Sequence, residues 1–356
     1  MSRREALIVG GSLGGLSTAL ALARVGISSI VLERTAGRTQ RGVAIRAAGP
    51  PLERTIGRAA YRRVADVLGD AAIRQGTLPH AWWDVYTALR TATDAEPAIH
   101  IVEGVKVVGI GQDGETVSAR SEGGEIWHGD LLIGADGYRS VVRRHVAADQ
   151  CHARYAGYVA WLGQSEIPEA DRRHIRGVDF FPQDNELLAV YPLIDSSMTL
   201  TRVGWAWFDA GHNALMRETG AVEGGHVMYT PRADVIPDAI YDSLIERAGR
   251  RWKEPWRSGI VNAIRRREVI ATPISEYVPS RVTRGRVVLV GDAAHAQTPM
   301  TGAGFEEAVL DAAALADVLN AQPDVLQGLQ RYESLRLDAM RQRVEDGQAF
   351  SRSLIA

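Results

Sequence analysis

This chain has almost no cysteine and almost no lysine. Cys151 is the single cysteine, which excludes an internal disulfide, a cysteine-based metal cluster and the redox-active cysteine pair of flavin disulfide reductases. Lys106 and Lys253 are the only lysines, and arginine carries the remaining fixed positive charge. A given arginine therefore gains meaning only from its position. The net charge of −2 gives no electrostatic case for nucleic acid or for an anionic membrane surface. No apolar run is long enough to span a bilayer, and the N-terminus MSRREALIVG leads directly into a strand without a signal-peptide pattern. The 9 histidines are scattered with no HxH, HxxH or HxxxH spacing, so no metal site is expected. These absences point to a cytoplasmic protein of a reducing compartment. With 356 residues, 46% of them hydrophobic, the chain can build one large or two moderate domains.

What is present begins at the N-terminus. Ala6–Val9 is a short apolar strand, followed by the glycine-rich run Gly10 to Gly15 and the helical spacing Leu16, Leu20, Ala23. Gly26 ends that helix, and the next strand, Ser29–Leu32, runs into Glu33. This is the strand–turn–helix–strand order of a dinucleotide site, with an acid at the expected distance. Gly10 makes the tight turn, while Gly14 and Gly15 allow phosphate approach and helix-on-strand packing. The middle glycine of the usual pattern is Ser12, a small residue whose hydroxyl can donate to phosphate. Glu33 suits ribose hydroxyls with a free 2′-OH, so FAD or NAD rather than NADP at this site.

Two further signatures follow. Asp130–Arg143 reads DLLIGADGYRSVVR: a buried strand, a tight turn carrying Asp136, and a helix start at Ser140. By itself this is also an ordinary turn with an N-terminal cap. Gly291–Gly304 reads GDAAHAQTPMTGAG, between the strand Val287–Val290 and a helical pattern over Phe305–Leu319. Asp292 can accept from the hydroxyls of a polyhydroxyl chain. Backbone N–H groups around Gly302–Gly304, at a helix start, can face a ring that becomes anionic.

With these three signatures in this order, the chain resembles the FAD-dependent aromatic hydroxylases of the p-hydroxybenzoate hydroxylase type. The segments YAGYVAW (Tyr155–Trp161), WDVY (Trp83–Tyr86) and Tyr191-Pro192, with Ser12, are most similar to the 2,6-dihydroxypyridine 3-hydroxylase branch. The resemblance implies an α/β fold. A discontinuous Rossmann-like FAD-binding domain would take residues 1–80, 98–152 and 280–322. A substrate-binding β-sheet domain would take 81–97 and 153–279, and C-terminal helices 323–356. It implies one extended FAD, with Gly10, Ser12, Leu13 and Gly14 at the pyrophosphate, Glu33 and Arg34 at the adenosine, Arg41 near the phosphates and the Val107 backbone near the adenine. Asp292 would meet the ribityl chain, and Pro299, Gly302, Gly304 and Phe305 the isoalloxazine. Asp136 would help position the pyrophosphate and serve nicotinamide use. NAD(P)H would bind transiently, in keeping with the single dinucleotide fingerprint.

The chain departs from that pattern in two places. The position after Gly304-Phe305, commonly Asn in that family, is Glu306, followed by Glu307. Acids suit a first helical turn, but a carboxylate near the flavin's pyrimidine end would oppose the reduced anion and lower the flavin potential. Trp82 stands where an arginine usually precedes the WDVY-like segment.

The middle of the chain supplies the expected substrate half. Short β-like runs occur at Tyr155–Trp161, Leu187–Leu193 and Thr199–Phe208, and aromatics concentrate there. Alternation puts Thr201, Val203, Trp205 and Trp207 on one face and Arg202, Gly204 and Ala206 on the other. Trp205, Trp207 and Tyr191 are the expected pocket residues, with plain sheet-to-helix packing as the alternative. The implied reaction hydroxylates a phenolic or N-heteroaromatic small molecule with NAD(P)H and O2, through a flavin C4a-hydroperoxide. Water must be excluded, and a phenol, with a pKa of about 10, reacts better once deprotonated. His295, Pro299 and Tyr191 are the catalytic candidates, with a structural role the favoured reading for His295 and His212 a weaker alternative. Baeyer–Villiger insertion, epoxidation or dehydrogenation on the same fold, a FAD-binding regulatory role, and a homodimer all remain compatible with the sequence.

Overall fold

The computed structural model describes residues 4–37, 44–76, 79–166, 175, 177–194, 196 and 200–355. In chain order the principal strands are β1 (Glu5–Val9), β2 (Ser28–Glu33), β3 (Ile99–Glu103), β4 (Leu131–Gly134), β5 (Arg154–Glu166), β6 (Asp179–Gln183), β7 (Glu186–Ile194), β8 (Leu200–Asp209), β9 (Val269–Glu276), β10 (Thr283–Arg284) and β11 (Val287–Leu289). The principal helices are α1 (Leu13–Arg24), α2 (Gly49–Ile56), α3 (Arg58–Leu68), α4 (Trp82–Asp94), α5 (Val141–Val146), α6 (Asp238–Arg251), α7 (Trp256–Arg265), α8 (Gly304–Ala321) and α9 (Val325–Ile355).

The first sheet has the order β10-β11-β4-β1-β2-β3 and is parallel except for the edge pair β10–β11. Its strands are apolar along their length because both faces are covered: Ala6–Val9, β4 and β11 are buried throughout. One core joins this sheet to α8, to Tyr332 and Met340 of α9, and to a three-stranded antiparallel sheet over 107–129. A second cluster packs α1, α2, α3 and α4 with Phe305 and Val309. The topology puts β1, β4 and β11 side by side and parallel. The three sequence signatures therefore leave the carboxyl ends of three adjacent strands, where open α/β sheets bind their ligands.

The second sheet is antiparallel, in the order β6-β7-β8-β5-β9. Its two faces are unlike. Val159, Trp161, Leu188, Val190, Trp205 and Trp207 pack under α6 and α7, against Leu244, Trp252 and Ile260. Tyr158, Ala160, Leu187, Ala189, Ala206 and Phe208 form the other face, together with Met300 from the third signature. Glycines fit two rings between the strands. A Cβ on Gly163 would lie 2.3 Å from the Trp205 ring, and one on Gly204 would lie 2.1 Å from the Tyr191 ring, so each glycine admits its cross-strand partner.

Two boundaries differ from the sequence expectation. Residues 81–97 do not join the second sheet: α4 packs on α1 and α3, in the cluster beside the first sheet. Buried Val85, Ala88, Leu89 and Ala92 give it a helical apolar stripe that the first sheet's helices cover. The C-terminal segment is one continuous helix, Val325–Ile355, rather than several. Among the described residues, no helix is long and apolar enough to cross a membrane.

Candidate active site

The N-terminal glycines have distinct jobs. Gly10 has φ +107°, and a Cβ there would lie 2.4 Å from the Ala135 carbonyl oxygen. A Cβ on Gly15 would lie 1.9 Å from the Gly10 carbonyl oxygen. Both positions are closed to side chains by the fold itself. Gly14 is different, since its Cβ would meet only Ala308 at 3.6 Å. Ser12 begins α1 with its side chain exposed and making no capping bond. Leu13 is buried in the helical cluster. Glu33 accepts from the Gly11 and Thr35 N–H groups at 2.8 Å each. A carboxylate has acceptor sites left after two such bonds. Arg34 follows on the rim, Val107 starts the three-stranded sheet with its side chain in the core, and Arg41 lies outside the described residues.

Asp136 caps α5. Its carboxylate accepts from Ser140 Oγ at 2.5 Å, Val141 N at 2.6 Å and Val142 N at 3.2 Å, while Ser140 Oγ accepts from Arg143 N at 2.9 Å. Burial raises the Asp136 carboxyl above its ordinary value, against the pull of these donors. Arg143 is buried and donates to the carbonyls of Cys151, Asp292, Ala293 and Tyr138, with its guanidinium 4.2 Å from the centre of the Tyr277 ring. It thereby ties the second signature to the third.

The third signature forms one wall of a cavity of about 430 Å³. Asp292, Pro299, Met300, Gly302, Gly304 and Phe305 stand on this wall, and Leu162, Ala189, Tyr191, Ala206 and Phe208 stand on the sheet side. Asp292 is exposed toward this space, and its carboxylate makes no hydrogen bond among the described residues. Gly302, at φ +61°, ends the short helical turn Pro299–Thr301, and α8 starts two residues later with its N-terminus at the cavity. Tyr191 is pushed well above the ordinary phenol range by burial, so it stays protonated at neutral pH.

Several expected site residues lie elsewhere. His295 is 1% exposed and does not reach the cavity wall. Its Nε2 is 2.6 Å from Asp311, which also accepts from Gly291 N at 2.9 Å and Arg336 Nε at 2.8 Å. Desolvation opposes its charge, but Asp311 raises the His295 pKa overall and is itself lowered. This is a structural ion network, not a catalytic base. Trp205 and Trp207 face α6 and α7, away from the cavity, because strand alternation gives the other face to Gly204, Ala206 and Phe208. His212 is bonded to buried Asp209 at 2.5 Å, beside Arg247, on that same helix-covered side. Trp82 stacks on Tyr86 at 5.2 Å within the helical layer.

The sequence reading missed Arg46, Phe180 and Phe208 on the cavity wall, and Thr298, which pairs with the Tyr158 hydroxyl at 2.7 Å. Only Phe208 carried a signal in advance, since it continues the Gly204–Ala206 face. A second cleft of about 640 Å³ lies beside the first two signatures, lined among others by Arg34, Arg139, Arg144, His152 and His226 against one carboxylate, Glu223. Among the described residues no group of acids, histidines and cysteine could hold a metal ion.

The residues present fit FAD. The exposed Ser12 and the α1 N-terminus would suit a pyrophosphate, Glu33 an adenosine ribose, unpartnered Asp292 a polyhydroxyl chain, and the α8 N-terminus a ring carrying negative charge. The fold and site thus define a FAD-binding α/β protein with an attached antiparallel sheet. Residues 3–77 and 245–346 match the family described as FAD binding domain. The chain is 28% identical to aurachin C monooxygenase/isomerase of Stigmatella aurantiaca, over 93% of this chain and 85% of that one. It is 27% identical to 2,6-dihydroxypyridine 3-monooxygenase of Paenarthrobacter nicotinovorans, over 93% and 86%. The structure of 2,6-dihydroxypyridine-3-hydroxylase from Arthrobacter nicotinovorans superposes with a TM-score of 0.78 at 21% identity, covering 99% of this chain and 93% of that one. This chain is a member of the FAD-dependent hydroxylase group that these relatives represent.

Proposed function

We propose that this FAD-dependent monooxygenase uses NAD(P)H and O2 to hydroxylate a phenolic or N-heteroaromatic small molecule in the cavity between the third signature and the second sheet. The observation that carries this reading is the cavity's composition. One wall holds the Asp292 to Phe305 segment, and the other is apolar and flat, made from Leu162, Ala189, Ala206 and Phe208 with Tyr191 as its polar group. Bound FAD supplies the oxygen activation and transfer. The chain's own residues hold the ring of the substrate, orient it and keep water away. Tyr191, protonated, fixes a ring oxygen or nitrogen by hydrogen bonding. Thr298, on the Asp292–Phe305 wall and already bonded to Tyr158, offers a second hydroxyl for moving a substrate proton. The arginine- and histidine-lined cleft is the proposed docking place for the phosphates of NAD(P)H, next to the FAD signatures rather than in a second nucleotide fold.

The relatives' names agree in kind: one acts on 2,6-dihydroxypyridine, a hydroxylated N-heteroaromatic ring. The test is a panel of small aromatics and N-heteroaromatics scored by stimulated oxidation of NADH and NADPH, with hydrogen peroxide followed in parallel. A flavin-loaded protein that no ring compound stimulates would refute the reading.

A further inference from the structure

Glu306 and Glu307 are neighbours in the first turn of α8, yet they have different surroundings. Glu307 is buried and accepts from Arg336 at 2.9 Å and Arg343 at 2.9 Å, which anchors α9. Glu306 is on the solvent side, and its ion-pair partner among the described residues is Arg46, at 3.7 Å. Both side chains of that pair are well exposed, at 36% and 43%. A long, solvated pair of this kind contributes little to folding. Its place is what distinguishes it. Arg46 lines the cavity and donates to the Gly302 carbonyl at 3.3 Å, in the turn that opens α8. Among the described residues, the titratable groups on the cavity wall are Arg46, Asp292 and Tyr191, and Arg46 is the one cation. Two carboxylates, Asp292 and Glu306, would otherwise flank a ring that gains negative charge on reduction.

The geometry points to Arg46 as the residue that offsets Glu306 and supplies the positive charge for the reduced flavin ring, so that the pair sets the flavin's reduction potential. This rests on the FAD reading above. It alters the expectation from sequence alone, in which Glu306 acts unopposed. A cation at the ring stabilises the reduced anion and raises the potential, and a carboxylate does the reverse.

The test measures the reduction potential of the FAD-loaded protein anaerobically, with no substrate present. Arg46→Gln is expected to shift the potential down and Glu306→Gln to shift it up, with the double variant closer to the parent than either single. Arg46→Lys keeps the charge and should stay near the parent. All shifts should shrink between low and high salt, because the pair is solvated. Shifts of the same sign, a shift in only one variant, or none would overturn the inference, since a purely structural pair predicts no opposed signs. The two readings fail separately. If FAD binds but no aromatic stimulates turnover, the proposed hydroxylation falls while the potentials still decide the role of Arg46. If FAD does not bind, both fall.

Discussion

The two faces of the second sheet use the same strands for different ends. The helix-covered face carries the large aromatics Trp161, Trp205 and Trp207, all fully buried, and the indole N–H groups of Trp205 and Trp207 donate to Ser165 and Glu186. The cavity face carries Ala189 and Ala206, whose small volumes leave room beside Tyr191 and Phe208. The cavity is opened here by small residues, not by conspicuous ones. The same contrast separates Glu307 from Glu306, and His295 from Asp292: the first of each pair is locked into packing, while Glu306 is left on the solvent side and Asp292 on the cavity wall.

The sharpest break of this contrast comes from the glycines that the fold itself closes. Gly15→Ala places a Cβ 1.9 Å from the Gly10 carbonyl oxygen, and the expected outcome is protein without FAD, read from flavin content after refolding with excess FAD. Gly14→Ala, by contrast, should fold normally and lose only flavin affinity. Next is the buried network. Asp311→Asn removes the negative charge facing His295 and Arg336, together with one of its two acceptor oxygens, and should cost about 3–5 kcal/mol in denaturant unfolding. The pH dependence has a definite sign. The His295 contribution is fully present below its unfolded pKa of about 6.5 and is lost as pH rises through its higher folded value. The Asp311 contribution is present above about 3.9 and is lost as pH falls through its lower folded value. The stabilisation therefore lies between those limits, and the variant should lose it.

The sheet faces can then be set against each other. Trp205→Ala should cost about 3–5 kcal/mol of stability while leaving the preference among ring compounds unchanged, measured by unfolding and by the aromatic panel. Ala206→Leu should do the reverse: Tm close to the parent, with stimulated NAD(P)H oxidation lost because the added side chain fills the cavity. Tyr191→Phe removes one hydrogen bond and keeps the ring, so kcat/KM for a hydroxylated ring compound should fall by roughly 3- to 10-fold, consistent with about 1 kcal/mol.

The first half of the molecule was readable in advance because its function is written in backbone geometry. A residue with φ +107°, a helix start and an acid at a strand end leave glycines and spacings that a sequence displays. The parallel strands β1, β2, β4 and β11 and the three turns fall where the spacing predicts. The second half was legible only as strands. Period-2 alternation divides β8 correctly into two faces but does not say which face a helix covers. That choice was settled by α6 and α7, whose buried Tyr241, Leu244, Ala248, Ile260 and Ile264 need an apolar partner. Arg46 was invisible for a related reason: it meets Gly302 and Glu306 across more than 250 residues of sequence, and no local pattern marks such a contact.

The central claim is that the cavity between the third signature and the small-residue face transfers oxygen to an aromatic ring. The most direct measurement supplies labelled O2 to the FAD-loaded protein with NAD(P)H and a stimulating ring compound, and analyses the product by mass spectrometry. The account predicts one labelled oxygen in a new ring hydroxyl, with Ala206→Leu abolishing it and Trp205→Ala retaining it. A product without labelled oxygen, or reduced oxygen recovered entirely as hydrogen peroxide, would contradict it.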